Sequence, residues 1–209
     1  MRLYISDIKA FMLQNGVELV TDTRKRQIHA YMQAEDKARC LASGLLLREV
    51  CGVTDDSQLV FGINGKPYLK SGEVYFNISH SGDYVALATA GREVGVDIEK
   101  TAPYEDSVAD RCFTGKEREW MLKEGGNEAF YRLWTAKESL MKATGLGFLM
   151  PPESFSVLPA DSSAHRIDGR VWFLDWVSYD GHIICRALEG EDEKTEITIV
   201  KSCAKSFHF

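Results

Sequence analysis

The chain has 209 residues, 44% hydrophobic and 27% charged, with a formal net charge of −6. That is ordinary globular composition, long enough for one large or two small cored domains, and its acidic balance speaks against a general nucleic-acid binder. No stretch approaches the roughly 20 consecutive apolar residues of a membrane helix, so no membrane or nucleic-acid partner is expected.

The opening MRLYISDIKAFML lacks the basic start and small-residue cleavage site of a signal peptide, which predicts a cytoplasmic protein. Residues 23–50 follow with Ile28, Tyr31, Leu41, Leu45 and Leu46 near helical spacing and Gly52 as the stop, predicting a helix. Residues 74–78 and 84–90 read as strands joined by the turn-rich segment Ser79-His80-Ser81-Gly82-Asp83, and residues 94–99 as a third strand. A helix is predicted from Thr114, where Thr114 and Glu117 form a capping-box pattern, and another over about 128–144, ending at Gly145 and Gly147. Strand signals fill the rest, at 154–158, 171–177, 182–188 and 195–200. Helices interleaved with antiparallel-looking strands predict an α+β fold, dividing after Lys100 into halves 1–100 and 101–209. Five scattered cysteines (Cys40, Cys51, Cys112, Cys185, Cys203), without a C-x-x-C pair, predict neither a disulfide framework nor structural zinc.

Chemistry concentrates at a few places. In Gly95-Val96-Asp97-Ile98-Glu99, strand alternation puts Val94, Val96 and Ile98 on one face and both carboxylates on the other, roughly 6–7 Å apart at Cα. Two acids this close repel unless a cation lies between them or one is protonated. A hard ion such as Mg²⁺ resolves this, although a solvated acidic edge strand has the same spacing. On the later helix, Glu138 and Lys142 are i and i+4 and share a face with Trp134, whereas Lys137 falls on the apolar stripe of Phe130, Leu133 and Leu140. A carboxylate beside two lysines suits a metal–phosphate site, and an exposed Glu–Lys pair is the plainer alternative. Phe76-Asn77-Ile78-Ser79-His80-Ser81-Gly82 offers hydroxyls, an imidazole and backbone N–H groups to a phosphate; Ser79 and His80 point apart on a strand, which disfavours a nucleophile–base pair. Gly65-Lys66-Pro67 displays a lysine on a turn, and Arg24, Lys25, Arg26, Arg39 and Arg48 make the first helical region basic, either a solvated face or an anion site.

In this order, GKPYL (65–69), FNISHSG (76–82), GVDIEK (95–100), FTGKE (113–117), LWTAKESLMKATGLGF (133–148) and SFSV (154–157) resemble the 4'-phosphopantetheinyl transferases, in their long single-chain form. The resemblance covers roughly residues 20–157. It implies two similar halves, each a helix on a small antiparallel sheet, related by a pseudo-twofold axis with one site between them. The implied reaction moves the 4'-phosphopantetheine arm of coenzyme A to a serine of an apo acyl- or peptidyl-carrier protein, releasing adenosine 3',5'-bisphosphate. By position it assigns Mg²⁺ to Asp97, Glu99 and Glu138, and coenzyme A to Arg24, Arg39, Lys66, Ser79, His80, Lys137 and Lys142. Glu138, Lys142 and His80 are the candidate catalytic residues, with Glu138 as metal ligand, base or both. A second family lysine falls on Gln27, where Lys25 or Arg26 would substitute. A monomer is implied, and the basic-apolar segment from Pro103 to Lys116, with Arg111 and Phe113, is expected to dock the acidic carrier.

Overall fold

Four layers stack in the order helices, sheet, sheet, helices. The computed structural model describes residues 1–10, 16–161 and 164–200. Strand β1 (Arg2–Asp7) leads to helices α1 (Asp22–Ala30) and α2 (Ala34–Cys51), a small hairpin β2 (Leu59–Phe61) and β3 (Pro67–Leu69), then β4 (Tyr75–Ser81), β5 (Tyr84–Ala90) and β6 (Val94–Lys100). Helices α3 (Asp106–Cys112), α4 (Gly115–Glu124) and α5 (Gly126–Thr144) follow, then β7 (Ala164–Ile167), β8 (Arg170–Tyr179), β9 (His182–Glu189) and β10 (Glu196–Val200). The expected α+β class holds.

One four-stranded sheet has the order β10-β1-β5-β4 and the other β6-β9-β8-β7. Strand β5 is buried along its whole length because both of its faces are covered. Leu87 packs with Ile28, Leu41 and Leu46 of α1 and α2, while Ala86 and Ala88 meet Val94, Val96 and Ile98 between the sheets. On the far side, Phe130, Leu133 and Leu140 of α5 close over Trp172, Leu174 and Ala187. The boundary expected after Lys100 does not coincide with the sheet boundary. Strand β6 pairs with β9 from Val94↔Leu188 to Lys100↔His182, and β10 returns to pair in parallel with β1.

Other differences have physical reasons. The single helix expected over 23–50 is two, broken where Tyr31 turns extended and Met32 stands 89% exposed. A straight helix of that span would run about 42 Å, roughly twice the length of the six- and seven-residue strands beneath it. Ser79 to Ser81 belong to β4, so the turn is only Gly82-Asp83, with Gly82 at φ +53° as a two-residue hairpin requires. The strand expected at 154–158 is instead a 3₁₀ turn, Pro152–Ser154, with an extended continuation whose Val157 N–H is taken by a side chain, Glu117 Oε1 at 2.8 Å. Cys203 lies outside the described residues.

Gly95 sets the distance between α5 and the second sheet. A Cβ there would lie 1.9 Å from the Ser139 carbonyl oxygen and 2.6 Å from the Ala143 nitrogen, both backbone atoms. Gly95→Ala must therefore push α5 off β6. We expect a loss of about 3 kcal/mol, the upper range for overpacking, read as a lower denaturant midpoint. Activity should fall further than stability, because α5 and β6 carry the two sides of the site described next.

Candidate active site

The edges β4 and β6 are stitched together by side chains. On β4 the alternate residues 77, 79 and 81 face β6. Asn77 Oδ1 accepts from the Val96 N–H (2.9 Å), Ser79 Oγ donates to Asp97 Oδ1 (2.9 Å), and Ser81 Oγ donates to Glu99 Oε2 (2.8 Å). The F-N-I-S-H-S pattern thus does two jobs. Its alternate polar residues place the carboxylates of β6, and its apolar Phe76 joins the core under α2. Asn77 and Ser81 thus serve the β6 strand, and their period-two polarity marks them in the sequence.

Helix α5 supplies the opposite wall, where Trp134, Glu138 and Lys142 stand at successive i+4 positions. Lys142 Nζ lies 2.5 Å from Asp97 Oδ1 and 3.0 Å from Ser79 Oγ, and 4.0 Å from Glu138 Oε2. Arg24 of α1, Ser43 of α2 and His80 complete an open groove of about 390 Å³. Ser79 is buried and His80 exposed, as alternation requires. Partial desolvation first, then the Arg39 guanidinium, hold the His80 imidazole below the ordinary histidine value.

Burial, then the neighbouring Asp97 charge, raises the pKa of Glu99, against hydrogen bonds from Ser81 and Trp134. Glu138 is raised as well, first by burial; Lys142 opposes the rise, and Asp97 and Glu99 add to it. Among the described residues no three acidic, histidine or cysteine side chains converge into a ready-made metal cage. The donor set nevertheless fits a hard divalent ion. Asp97 is only 2% exposed, and its Oδ2 is buried without a hydrogen-bond partner. The available donors are all carboxylate oxygens, and phosphate oxygens of a substrate can complete such a shell.

Three of the residues assigned to coenzyme A are held elsewhere. Lys137 is fully buried, 2.9 Å from the equally buried Glu117, and donates to the carbonyls of Pro152 (2.7 Å) and Phe155 (2.6 Å). This corrects its placement: the apolar stripe of α5 faces the second sheet, away from Glu138 and Lys142, so Lys137 cannot reach the groove. Burial pulls its pKa down and Glu117 counters. Lys66 is likewise spent inside, on Glu93 (2.6 Å) and the carbonyls of Val94 (3.1 Å) and Ala143 (2.7 Å), tying the β2–β3 hairpin to the start of β6 and the end of α5. Arg39 clamps the hairpin turn by donating to the Gly82 carbonyl (2.8 Å) and to Asp36 (2.6 Å). The docking segment is corrected too: Phe113 is buried in the second core, leaving Arg111 and Lys116 exposed around it.

Glu117 does more than complete a capping box. The box is present, with Thr114 Oγ1 accepting from Glu117 N–H and Glu117 Oε2 from Thr114 N–H. The same carboxylate also holds Val157 and Lys137, so it fixes α4, α5 and the 152–157 segment at once. No described helix is long and apolar enough to cross a membrane.

The 4'-phosphopantetheinyl transferase superfamily model matches residues 93–198, and a model of the 4'-phosphopantetheinyl transferase N-terminal region matches residues 10–92. A 4'-phosphopantetheinyl transferase of Bacillus subtilis is 32% identical over 158 residues, 71% of this chain and 70% of the relative. The transferase Sfp of Bacillus subtilis strain 168 is 33% identical over 150 residues, 68% of this chain and 67% of its own. The L-aminoadipate-semialdehyde dehydrogenase-phosphopantetheinyl transferase of Xenopus laevis is 34% identical over 177 residues, 71% of this chain and 57% of the relative. With a groove that gathers Ser79, Asp97, Glu99, Glu138 and Lys142, the chain belongs to the 4'-phosphopantetheinyl transferase superfamily.

Proposed function

We propose that this groove transfers the 4'-phosphopantetheine group of coenzyme A to a serine of an apo acyl- or peptidyl-carrier protein, releasing adenosine 3',5'-bisphosphate. The observation that carries it is an ammonium, Lys142, within ion-pair distance of Asp97 and Glu138, with Glu99 and Arg24 of α1 lining the same groove. Asp97, Glu99 and Glu138 would hold Mg²⁺. When bound, Mg²⁺ would supply positive charge against the negative charge that builds on adenosine 3',5'-bisphosphate as it separates from the transferred phosphate.

The chain's own groups do the rest. Arg24 and Lys142 draw the phosphates into the groove, and His80, kept toward its neutral form, donates or accepts a hydrogen bond there without adding charge. Ser79 and Ser81 fix the rotamers of Asp97 and Glu99, so the acids do not reorganise during reaction. Glu138 is the base that takes the proton from the carrier serine. Its raised pKa brings it nearer the operating pH than an ordinary glutamate, which favours proton transfer. Both walls come from one chain, so a monomer suffices. Exposed Arg111 and Lys116 offer the acidic carrier a landing site.

Glu138→Gln is the test. It keeps shape and one carbonyl oxygen but loses charge and proton affinity. As a base, its loss lowers kcat by about 10²–10⁴-fold, with Mg²⁺ and coenzyme A still bound. A magnesium titration read by calorimetry and by mass spectrometry of an apo carrier separates the roles. Full recovery of kcat at high Mg²⁺ would leave Glu138 a ligand only.

A further inference from the structure

The three lysines near the junction of the halves differ in how they are held. Lys137 is fully buried, and Lys66 is pinned by one carboxylate and two carbonyls. Lys142 is 30% exposed at its side chain, and its Nζ touches only groups of the groove, Asp97 Oδ1 and Ser79 Oγ, with Glu138 at 4.0 Å. No carbonyl anchors it among its hydrogen bonds at Nζ. A flexible four-carbon stem with an open side can swing without disturbing the fold.

The charge balance says what Lys142 does there. Asp97 and Glu99 on β6 and Glu138 on α5 line one groove, and Lys142 lies within ion-pair distance of Asp97 and Glu138. It sits on the oxygen of Asp97 that Ser79 also engages, next to the partnerless Oδ2. A divalent ion at Asp97 and an ammonium 2.5 Å from the same carboxylate repel each other, so each is stable there at the other's expense. An incoming pyrophosphate offers the ammonium a better anion than a shared carboxylate and draws it off.

We propose that Lys142 is an exchangeable internal cation: in the free protein its ammonium sits on Asp97 Oδ1, beside the open Oδ2 that a divalent ion would use, and coenzyme A draws it onto its phosphates, so that substrate binding removes the competing charge from the metal site. This rests on the reading of the groove as the transfer site. The two ligands are then coupled through one side chain, and the coupling is reciprocal. Free protein takes up metal weakly, and the carboxylates stay neutralised until the anion they are meant to serve arrives.

The test measures metal binding by the full-length protein, using Mn²⁺ as a paramagnetic probe and Mg²⁺ by calorimetry. Lys142→Met should bind Mn²⁺ about 10-fold more tightly than wild type without coenzyme A, within the usual range of coupling between sites. With coenzyme A present the two proteins should differ less than about threefold, so the coupling drops by the difference. Lys142→Gln, which keeps an N–H donor for Ser79 and Asp97 but no charge, should show the same gain. It covers the case in which Lys142→Met does not fold. Equal or weaker Mn²⁺ binding by free, folded Lys142→Gln overturns the exchange. Wild-type transfer to an apo carrier is assayed in parallel by mass spectrometry, so a failure of the transfer reading is seen separately from a failure of the exchange.

Discussion

Lys137→Ala is expected to be among the most destabilising single substitutions in this chain while leaving the groove's chemistry untouched. It strands the Glu117 carboxylate in a site where both partners are 0% exposed, and it strips the hydrogen bonds from the carbonyls of Pro152 and Phe155. Removing one member of a buried pair costs about 3–5 kcal/mol. At roughly 2–4 °C per kcal/mol for a chain of this size, the melting temperature should fall by about 6–20 °C. Lys137→Met/Glu117→Gln removes the uncompensated charge, so it should recover a substantial part of that loss. Coenzyme A affinity of the folded fraction at low temperature is the decisive second measurement. A structural lysine leaves it unchanged, whereas a large loss of affinity in a fully folded variant would return Lys137 to the phosphates.

Asp97→Ala has the opposite profile. Its side chain lies on the face of β6 away from Val94, Val96 and Ile98, so the apolar packing between the sheets survives. It also relieves the crowding that raises Glu99 and Glu138. The melting temperature should hold or rise slightly. Transfer to the carrier should drop by about 10²–10³-fold, the scale for losing one preorganised electrostatic group at a reacting centre. Without Asp97 the Lys142 ammonium loses its nearest anion and Ser79 its acceptor, so two further groups are misplaced by one change. Ordinary turnover by folded Asp97→Ala protein would remove it from the mechanism.

Legibility in the sequence followed the range of the interaction. YVALATA and VGVDIE read correctly as strands because continuous apolar runs and strict alternation are local signals. The capping box at Thr114 and the glycine stop at Gly145 gave α4 and α5 their ends. Glu138 and Lys142 were legible as neighbours for the same reason, one helical turn apart. The break at Tyr31–Gln33 was not, since no glycine or proline marks it and the length of the underlying sheet decides it. The engagements of Lys66, Arg39 and Lys137 were equally hidden. The Glu93, Gly82 and Pro152 partners lie 27, 43 and 15 residues away, and nothing in a basic side chain says whether it will meet a ligand or a carbonyl. Strand β1 is not legible either, because a short polar-ended segment gains its identity only from β5 and β10 beside it.

The pairing of β10 with β1 also sets a clock on biosynthesis. Ser6 and Val200 are 194 residues apart, and neighbours in one sheet. At 5–20 residues per second, roughly 10–40 s pass between the emergence of one strand and the synthesis of the other. Through that interval β1, with Leu3 and Ile5 at its centre, has no partner on its outer side. An open apolar edge of this kind recruits strands from other chains. The nascent protein is therefore most at risk from its neighbours on the same message, and slow translation between β5 and β10 lengthens the exposure.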